Sequence, residues 1–163
     1  MTESTTTRSW LALALFLAGS FAAAGIGVAS QGTEAQSFYN EQLSLPAWAP
    51  PSWLFGPVWT VLYAAIAVAA WRVWEAAGWT TGLTVWVTQL VVNAAWTPAF
   101  FNLRNVTLAA AIILVLLGMI AVMMVRFAAH SRVAVALVVP YAAWVAFATA
   151  LTLAVWWLNP GIR

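Results

Sequence analysis

Gln89, Asn93, Trp96, Thr97 and Phe100 follow one another at steps of four, three, one and three, the spacing that sets side chains along one face of a helix. Two amides, a hydroxyl and two aromatic rings on one stripe can stack on a flat molecule and hydrogen-bond its edge. Trp59, Thr60 and Tyr63 form a similar patch, and Tyr141, Trp144, Ala148 and Thr152 repeat the spacing of three and four. Groups that could make or break bonds are scarce by comparison. The chain has no cysteine, a single histidine, six basic and four acidic residues. His130 falls in a short connection beside Ser131 and Arg132, where an exposed loop residue is the simpler reading than a metal ligand. Arg72 and Glu75 stand three apart at a predicted helix end and read as an interfacial pair. No metal cluster, nucleophile with its base, carboxylate pair or glycine-rich phosphate loop can be assembled. No metal site and no catalytic set are therefore predicted, and hydrolysis and ion pumping fit poorly.

The elements that must carry these stripes are set by composition. A chain of 163 residues that is 64% hydrophobic and 6% charged, with a mean hydropathy of +0.91, cannot clothe a soluble globule, whose charged fraction is near 25%. It reads as an all-α integral membrane protein, a bundle of five transmembrane helices. A helix needs about 20 apolar residues to cross a hydrocarbon core of about 30 Å. Five stretches qualify: about 10–29, 53–74, 81–103, 106–125 and 133–158. They nearly exhaust the chain, so residues 1–163 are expected to form a single membrane domain.

Arg8 ahead of an apolar run, with Ala22, Ala23 and Ala24 as an imitation cleavage site, offers a signal peptide as a rival reading of the first span. The run continues through Ile26 and Val28, beyond the usual length of about 7–15 residues, so a span is preferred. Arg8, Arg72, Arg126 and Arg132 fall on the side of the amino terminus, and Arg104 and Arg163 on the other. That excess favours a cytoplasmic amino terminus. The arginines are too dispersed for a nucleic-acid surface. All links but one are short, so consecutive helices are expected to be antiparallel neighbours. The fourth span, almost wholly Ala, Ile, Leu, Val and Met, is expected to face lipid or a subunit partner.

Twelve tryptophans divide by depth. Trp10, Trp53, Trp71, Trp74, Trp79, Trp156 and Trp157 lie at helix ends, where indoles form the aromatic belts at membrane surfaces. Trp59, Trp86, Trp96 and Trp144 lie inside spans and need another reason. One reading makes the buried amides and tyrosines interhelical glue, each hydrogen bond contributing about 0.6–2 kcal/mol. The other notes that glue can be made with Ser or Thr, whereas converging indoles, phenols and amides make the wall of a cavity for a planar, largely apolar ligand. The long connection 31–52 suits the second reading. Phe38 and Tyr39 precede Pro46, Trp48, Pro50 and Pro51, a stiff segment whose prolines prevent helix locally and which can lie across the bundle end as a lid or serve as a connector.

Three blocks then match in order and spacing. Pro46-x-Trp48-x-Pro50-Pro51 with Phe55, Val58-Trp59 and Leu62-Tyr63, then Asn93-x-x-Trp96-Thr97-Pro98-x-Phe100-Phe101, then Pro140-Tyr141-x-x-Trp144-x-x-Phe147-Ala148 resemble the signature of the tryptophan-rich sensory protein family, also called the translocator protein or peripheral-type benzodiazepine receptor family. The resemblance covers about residues 10–158. It implies a five-helix bundle, usually a homodimer, that needs no cofactor and whose pocket beneath the first loop binds tetrapyrroles such as protoporphyrin IX and haem, and benzodiazepine-type ligands. It carries the ligand positions onto Tyr39, Pro46, Trp59, Asn93, Trp96, Trp144 and Ala148, to which the stripes add Tyr63, Phe100 and Tyr141. Partners expected are therefore porphyrin-type small molecules, the lipid bilayer and a second copy.

Relatives are described as receptors, transporters or stress regulators. In some, the tryptophans equivalent to Trp59 and Trp144 take part in light-dependent porphyrin breakdown, so a photo-oxidative enzyme is the alternative. A third reading is a regulatory membrane protein acting on a partner through small-residue edges such as Ala18-x-x-x-Ala22 and Ala23-x-x-x-Gly27. The cholesterol motif of animal members needs a tyrosine and a following basic residue. Here Leu151 leads into Thr152, Leu153, Ala154, Val155, Trp156 and Trp157, which argues against cholesterol; a prokaryotic plasma membrane is the preferred location, and the resemblance offers the mitochondrial outer membrane of animal relatives as the alternative.

Overall fold

The computed structural model describes residues 2–162, with side chains for residues 7–162; Arg163 lies outside the described residues. Five long helices carry the chain: α1 (Thr2–Ala29), α2 (Phe55–Ala77), α3 (Thr81–Thr97), α4 (Val106–Ala128) and α5 (Arg132–Leu158). The segments Thr7–Ala29, Ser52–Ala77, Val106–Ala128 and Arg132–Leu158 are each long and apolar enough to cross a membrane. α3 stops short of the expected end at 103. Pro98 brings no N–H and crowds the preceding turn, and the chain widens there into a π-helical turn, Pro98–Asn102.

Local chemistry places the other ends. α1 stops where Ser30 folds its hydroxyl back to the Gly27 carbonyl at 2.8 Å, two residues before Gly32 turns left-handed at φ 73°. α2 ends in Gly78 at φ 66°, whose N–H reaches the Trp74 carbonyl at 2.8 Å, the glycine stop that a side chain would strain. Asn105 and Ser131 cap α4 and α5 by accepting from the Leu108 and Ala134 amides at 2.8 and 3.1 Å.

The helices close into a ring in the order α1, α2, α5, α4, α3, each packed on the next and α3 back on α1. Consecutive α2 and α3 meet only marginally, against the expectation that every short link joins neighbours. The link at 78–80 sets them side by side at one end only, and each then finds broader packing on α1. The fourth helix leaves most of its surface outside the core, with 33% of its span buried, as expected of a helix facing mainly lipid or a subunit partner. Its inner stripe, Ile113, Leu116, Ile120, Met123 and Phe127, packs between α3 and α5.

At mid-bundle the ring is filled by one side chain. Tyr141 of α5 is fully buried and crosses to α3, where its hydroxyl donates to Gln89 Oε1 at 2.6 Å and accepts from Asn93 Nδ2 at 2.8 Å. Its ring meets the Trp59 ring of α2 edge-on at 6.1 Å. From there toward the α2–α3 link the core is tight, with Ile66, Ala67, Ala70 and Val73 of α2 all fully buried. Gly82 belongs to this half: a Cβ on it would lie 3.0 Å from the Phe127 ring and 3.1 Å from Arg126 Cβ.

Two stability predictions follow from this packing. Gly82→Ala forces α3 off α4 and should cost about 1–3 kcal/mol, read as a lower thermal midpoint in detergent; an unchanged midpoint would show that the contact relaxes freely. Tyr141→Phe strands Gln89 Oε1 and Asn93 Nδ2 and should cost about 1–3 kcal/mol by the same measurement, whereas a purely space-filling ring would leave the midpoint where it was.

Candidate functional site

Beyond Tyr141, toward the lid, the inward positions become small. Ala24 and Gly27 on α1, Gly56 on α2 and Ala148 on α5 leave the ring open, and a cavity of about 420 Å³ lies there. It occupies the lid-side half of the bundle rather than mid-depth. Gly27 also lets α1 approach α3, since a Cβ there would sit 3.3 Å from Thr97 Oγ1.

Trp59 and Tyr63 of α2 stand on one wall, Asn93 and Trp96 of α3 on another, with Phe100 from the π-helical turn, Ala148 from α5 and Tyr39 from the lid. Seven of the ten expected site residues therefore meet around one space. The rings are held by one another. Trp96 stacks on Phe100 at 5.0 Å, and Trp59 lies over Tyr63 at 5.4 Å. Preset rings of this kind receive a flat ligand without the cost of ordering.

The other three expected residues take different places. Tyr141 is fully buried in the packed core rather than on the lining and spends its hydroxyl on Gln89 and Asn93. Trp144 is not among the lining residues. It stands behind the wall, with its ring 6.0 Å from Phe55 and 5.4 Å from Phe147, and its Nε1 is buried without a partner. Pro46 lies in the loop away from the cavity, where its carbonyl accepts from the Ala49 amide at 2.9 Å. Trp86, the fourth indole inside a span, is turned to α1 and packs on Phe16 at 5.2 Å.

Sequence reasoning missed Phe21, Phe55, Thr60, Leu151 and Thr152 as wall residues, as well as Gln31 and Gln36 at the lid side. Phe55 sits in the first matched block, and Thr60 and Thr152 fall on the recognised stripes. Their hydroxyls are spent on the carbonyls of Gly56 and Ala148, at 2.9 and 2.8 Å. Phe21 and Leu151 carry no signal that separates a wall residue from any other apolar one.

The lid is more ordered than its prolines suggest. It holds two short helical pieces, Ala35–Ser37 and a π-helical turn Phe38–Gln42, before Pro46 opens a turn closed by the Ala49 amide and Pro51 is extended. Tyr39 is buried, and its hydroxyl donates to the Pro50 carbonyl at 3.0 Å. Burial raises this phenol above its ordinary pKa, so it remains a neutral donor and folds the lid onto itself. Asn159, just past α5, holds the lid's middle as a strand would: its Oδ1 accepts from the Ser44 amide at 2.8 Å and its Nδ2 donates to the Ser44 carbonyl at 3.0 Å.

At the opposite end of the bundle Arg8, Arg72, Arg126 and Arg132 gather with exposed His130. Arg72 pairs with Glu75 at 3.4 Å, the interfacial contact expected. Of the seven tryptophans expected at helix ends, Trp10, Trp53, Trp79 and Trp157 are exposed, whereas Trp71, Trp74 and Trp156 are half-buried and pack against the core.

The cavity is thus aromatic, free of charge among its described lining residues, and suited to holding a flat molecule. The sequence pattern of the TspO/MBR family matches residues 11–158. The human translocator protein is 38% identical over 126 residues, covering 74% of this chain and 75% of its own. The tryptophan-rich protein TspO of Chlorobaculum tepidum is 37% identical over 129 residues, covering 76% and 81%. The tryptophan-rich sensory protein of Cereibacter sphaeroides is 33% identical over 150 residues, covering 92% of each. With its apolar helices, ring of aromatic walls and matched blocks, the chain is an all-helical integral membrane protein that belongs to the TspO/MBR family.

Proposed function

We propose that this protein is a receptor, sensor or transporter-type binder of tetrapyrroles such as protoporphyrin IX and haem, and of benzodiazepine-like molecules, acting as a homodimer in a prokaryotic plasma membrane with all five long helices crossing the bilayer. The observation that carries the reading is the cavity of about 420 Å³ walled by Trp59, Tyr63, Asn93, Trp96 and Phe100 beneath Tyr39 of the lid. Its size falls in the range of about 300–1,000 Å³ of small-molecule sites. Flat rings stack on Trp59 and Trp96, and Asn93, which gives one N–H to Tyr141, offers its carbonyl oxygen to a ligand N–H. The fifth span is α3 together with its π-helical continuation, which restores the length that Pro98 interrupts.

A second reading, light-driven porphyrin breakdown, draws support from a chain of rings. Trp59 on the wall has Tyr63 and Tyr141 at 5.4 and 6.1 Å, a route by which an oxidising equivalent could leave the cavity.

Titration of protoporphyrin IX in detergent should quench tryptophan fluorescence. Trp59→Phe and Trp96→Phe should each weaken binding about 3- to 10-fold, the scale of about 0.5–1.5 kcal/mol for an aromatic contact, while Trp144→Phe, behind the wall, should change it less than either. A titration indifferent to Trp59 and Trp96 would remove the site. Under light and air, a binder should leave the bound pigment bleaching no faster than free pigment in the same detergent. Accelerated loss to a defined product, abolished by Trp59→Phe, would favour the enzyme.

A further inference from the structure

The four arginines at the end of the bundle opposite the lid are not used alike. On the side of α1 and α2 both cations are taken up by the protein. Arg72 pairs with Glu75 at 3.4 Å and lies 5.7 Å from the centre of the Trp71 ring, and Arg8 lies 5.9 Å from the centre of the Trp74 ring, the range of cation–π attraction. Glu75, the acid at this end whose side chain is described, also accepts from the Ser9 hydroxyl. Its charge is spent there.

On the side of the α4–α5 link the balance differs. Arg126 stands in the last turn of α4 and Arg132 opens α5, with His130 in the tight link between them, and all three are exposed. The ion pairs among the described residues join Arg72 to Glu75 and Arg104 to Glu34, and neither Arg126 nor Arg132 reaches an acid. Both side chains nevertheless spring from fixed backbone. Arg126 Cβ packs at the start of α3, 3.1 Å from where a Cβ on Gly82 would lie, and Arg132 follows Ser131, whose hydroxyl caps the first turn of α5. The amino end of that helix adds partial positive charge of its own.

Valines flank these cations. Val122 and Val125 on α4 and Val133 on α5 are 48, 72 and 67% or less exposed, and all three count among the exposed apolar side chains. In a membrane protein such side chains face acyl chains, which sets the neighbouring guanidinium groups at the depth of the lipid phosphates. Uncompensated cations beside exposed aliphatic surface suit an amphiphile with an anionic head, and a guanidinium holds a phosphate by two parallel N–H bonds. A zwitterionic head would bring its own cation to a place with no unspent described carboxylate, and a free phosphate would leave the valines uncovered.

We propose that the α4–α5 link is a binding site for one acidic phospholipid, its phosphate held by Arg126 and Arg132 beside His130 and its acyl chains lying along Val122 and Val125. The site does not depend on what the cavity binds.

The test is native mass spectrometry of the full chain taken from nanodiscs that hold phosphatidylglycerol and phosphatidylcholine of matched chains in equal amounts. Wild type should retain one phosphatidylglycerol, with a preference of about 25-fold, because each arginine contributes about fivefold at about 1 kcal/mol per basic residue near an anionic surface. Arg126→Gln and Arg132→Gln should each lower the preference about fivefold, and the double change should abolish it. Arg8→Gln, which removes a cation already engaged at the same end, should leave it in place. In zwitterionic detergent without acidic lipid, the thermal midpoint of the double variant should match wild type, whereas a merely structural role would lower it.

Equal retention of the two lipids by wild type, or a preference that survives the double change, overturns the site. An equal loss in Arg8→Gln overturns it as well, since the overall charge of that end would then be the cause. Millimolar inorganic phosphate should not displace the lipid, and displacement would assign the arginines to a free anion instead.

Discussion

Tyr141 stands across the centre of the ring, and the rest of the lid-side half depends on its hydroxyl being satisfied on both sides. Inside a membrane, apolar side chains gain little by leaving lipid for one another, so helices are held by close packing and by the few polar groups that must find partners. A phenol in that position would be costly unpaired. By donating to Gln89 and accepting from Asn93, it ties α5 to α3 across the ring, although these helices are not neighbours. It also plugs the bundle, so that tight packing lies on one side and open space on the other. The same contact orients Asn93: one N–H of its Nδ2 goes to Tyr141, and the amide keeps its second N–H and its carbonyl oxygen.

Space above the plug exists because the residues facing it are small, and this shifts the burden of closure to the loop. Ala24, Gly27, Gly56 and Ala148 give no ring to fill the gap, so the wall aromatics stand on the perimeter and the top must be covered from outside the helices. A cover at the membrane surface cannot rely on burial in lipid. It relies on polar contacts instead: Tyr39 to Pro50 within the loop, Asn159 to Ser44 at its middle, and Arg104 to Glu34 near its start. The prolines shorten the list of shapes available to the loop, since fixed φ values lower the entropy lost on ordering.

The helices were legible because a membrane span announces itself by length and hydropathy, and the α3 stripe was legible because amides and indoles are rare inside bilayers. Periodicity says which residues share a face, and it placed Asn93, Trp96 and Phe100 together correctly. It does not say which face meets the cavity. Trp144 shares a stripe with Ala148, yet a step of four residues leaves about 40° between them on a helix of 3.6 residues per turn, enough to put one side chain behind Phe55 and the other on the wall. Trp86 turned to α1 for the same reason. The ring order escaped the sequence because short links constrain only helix ends. The inner stripe of α4 escaped because its inward and outward residues are nearly all aliphatic, so no polar side chain marks either face. The helical pieces of the lid were hidden by the prolines that follow them.

An uncharged wall also dictates how an acidic molecule must lie. An ionised carboxylate carried among Trp59, Trp96 and Phe100 would meet no counter-charge among the described lining residues, and burying it unpaired is far costlier than ring stacking can offset. The stacked face of such a ligand belongs inside, with its N–H groups toward Asn93. Its acids belong at the lid side, where Gln31, Gln36 and Ser52 offer amide and hydroxyl groups near water. The polarity of the cavity thus runs from one buried amide, Asn93, to half-buried Gln31 and exposed Gln36 at the lid side, a gradient that under the proposed binding role would orient an amphipathic planar ligand.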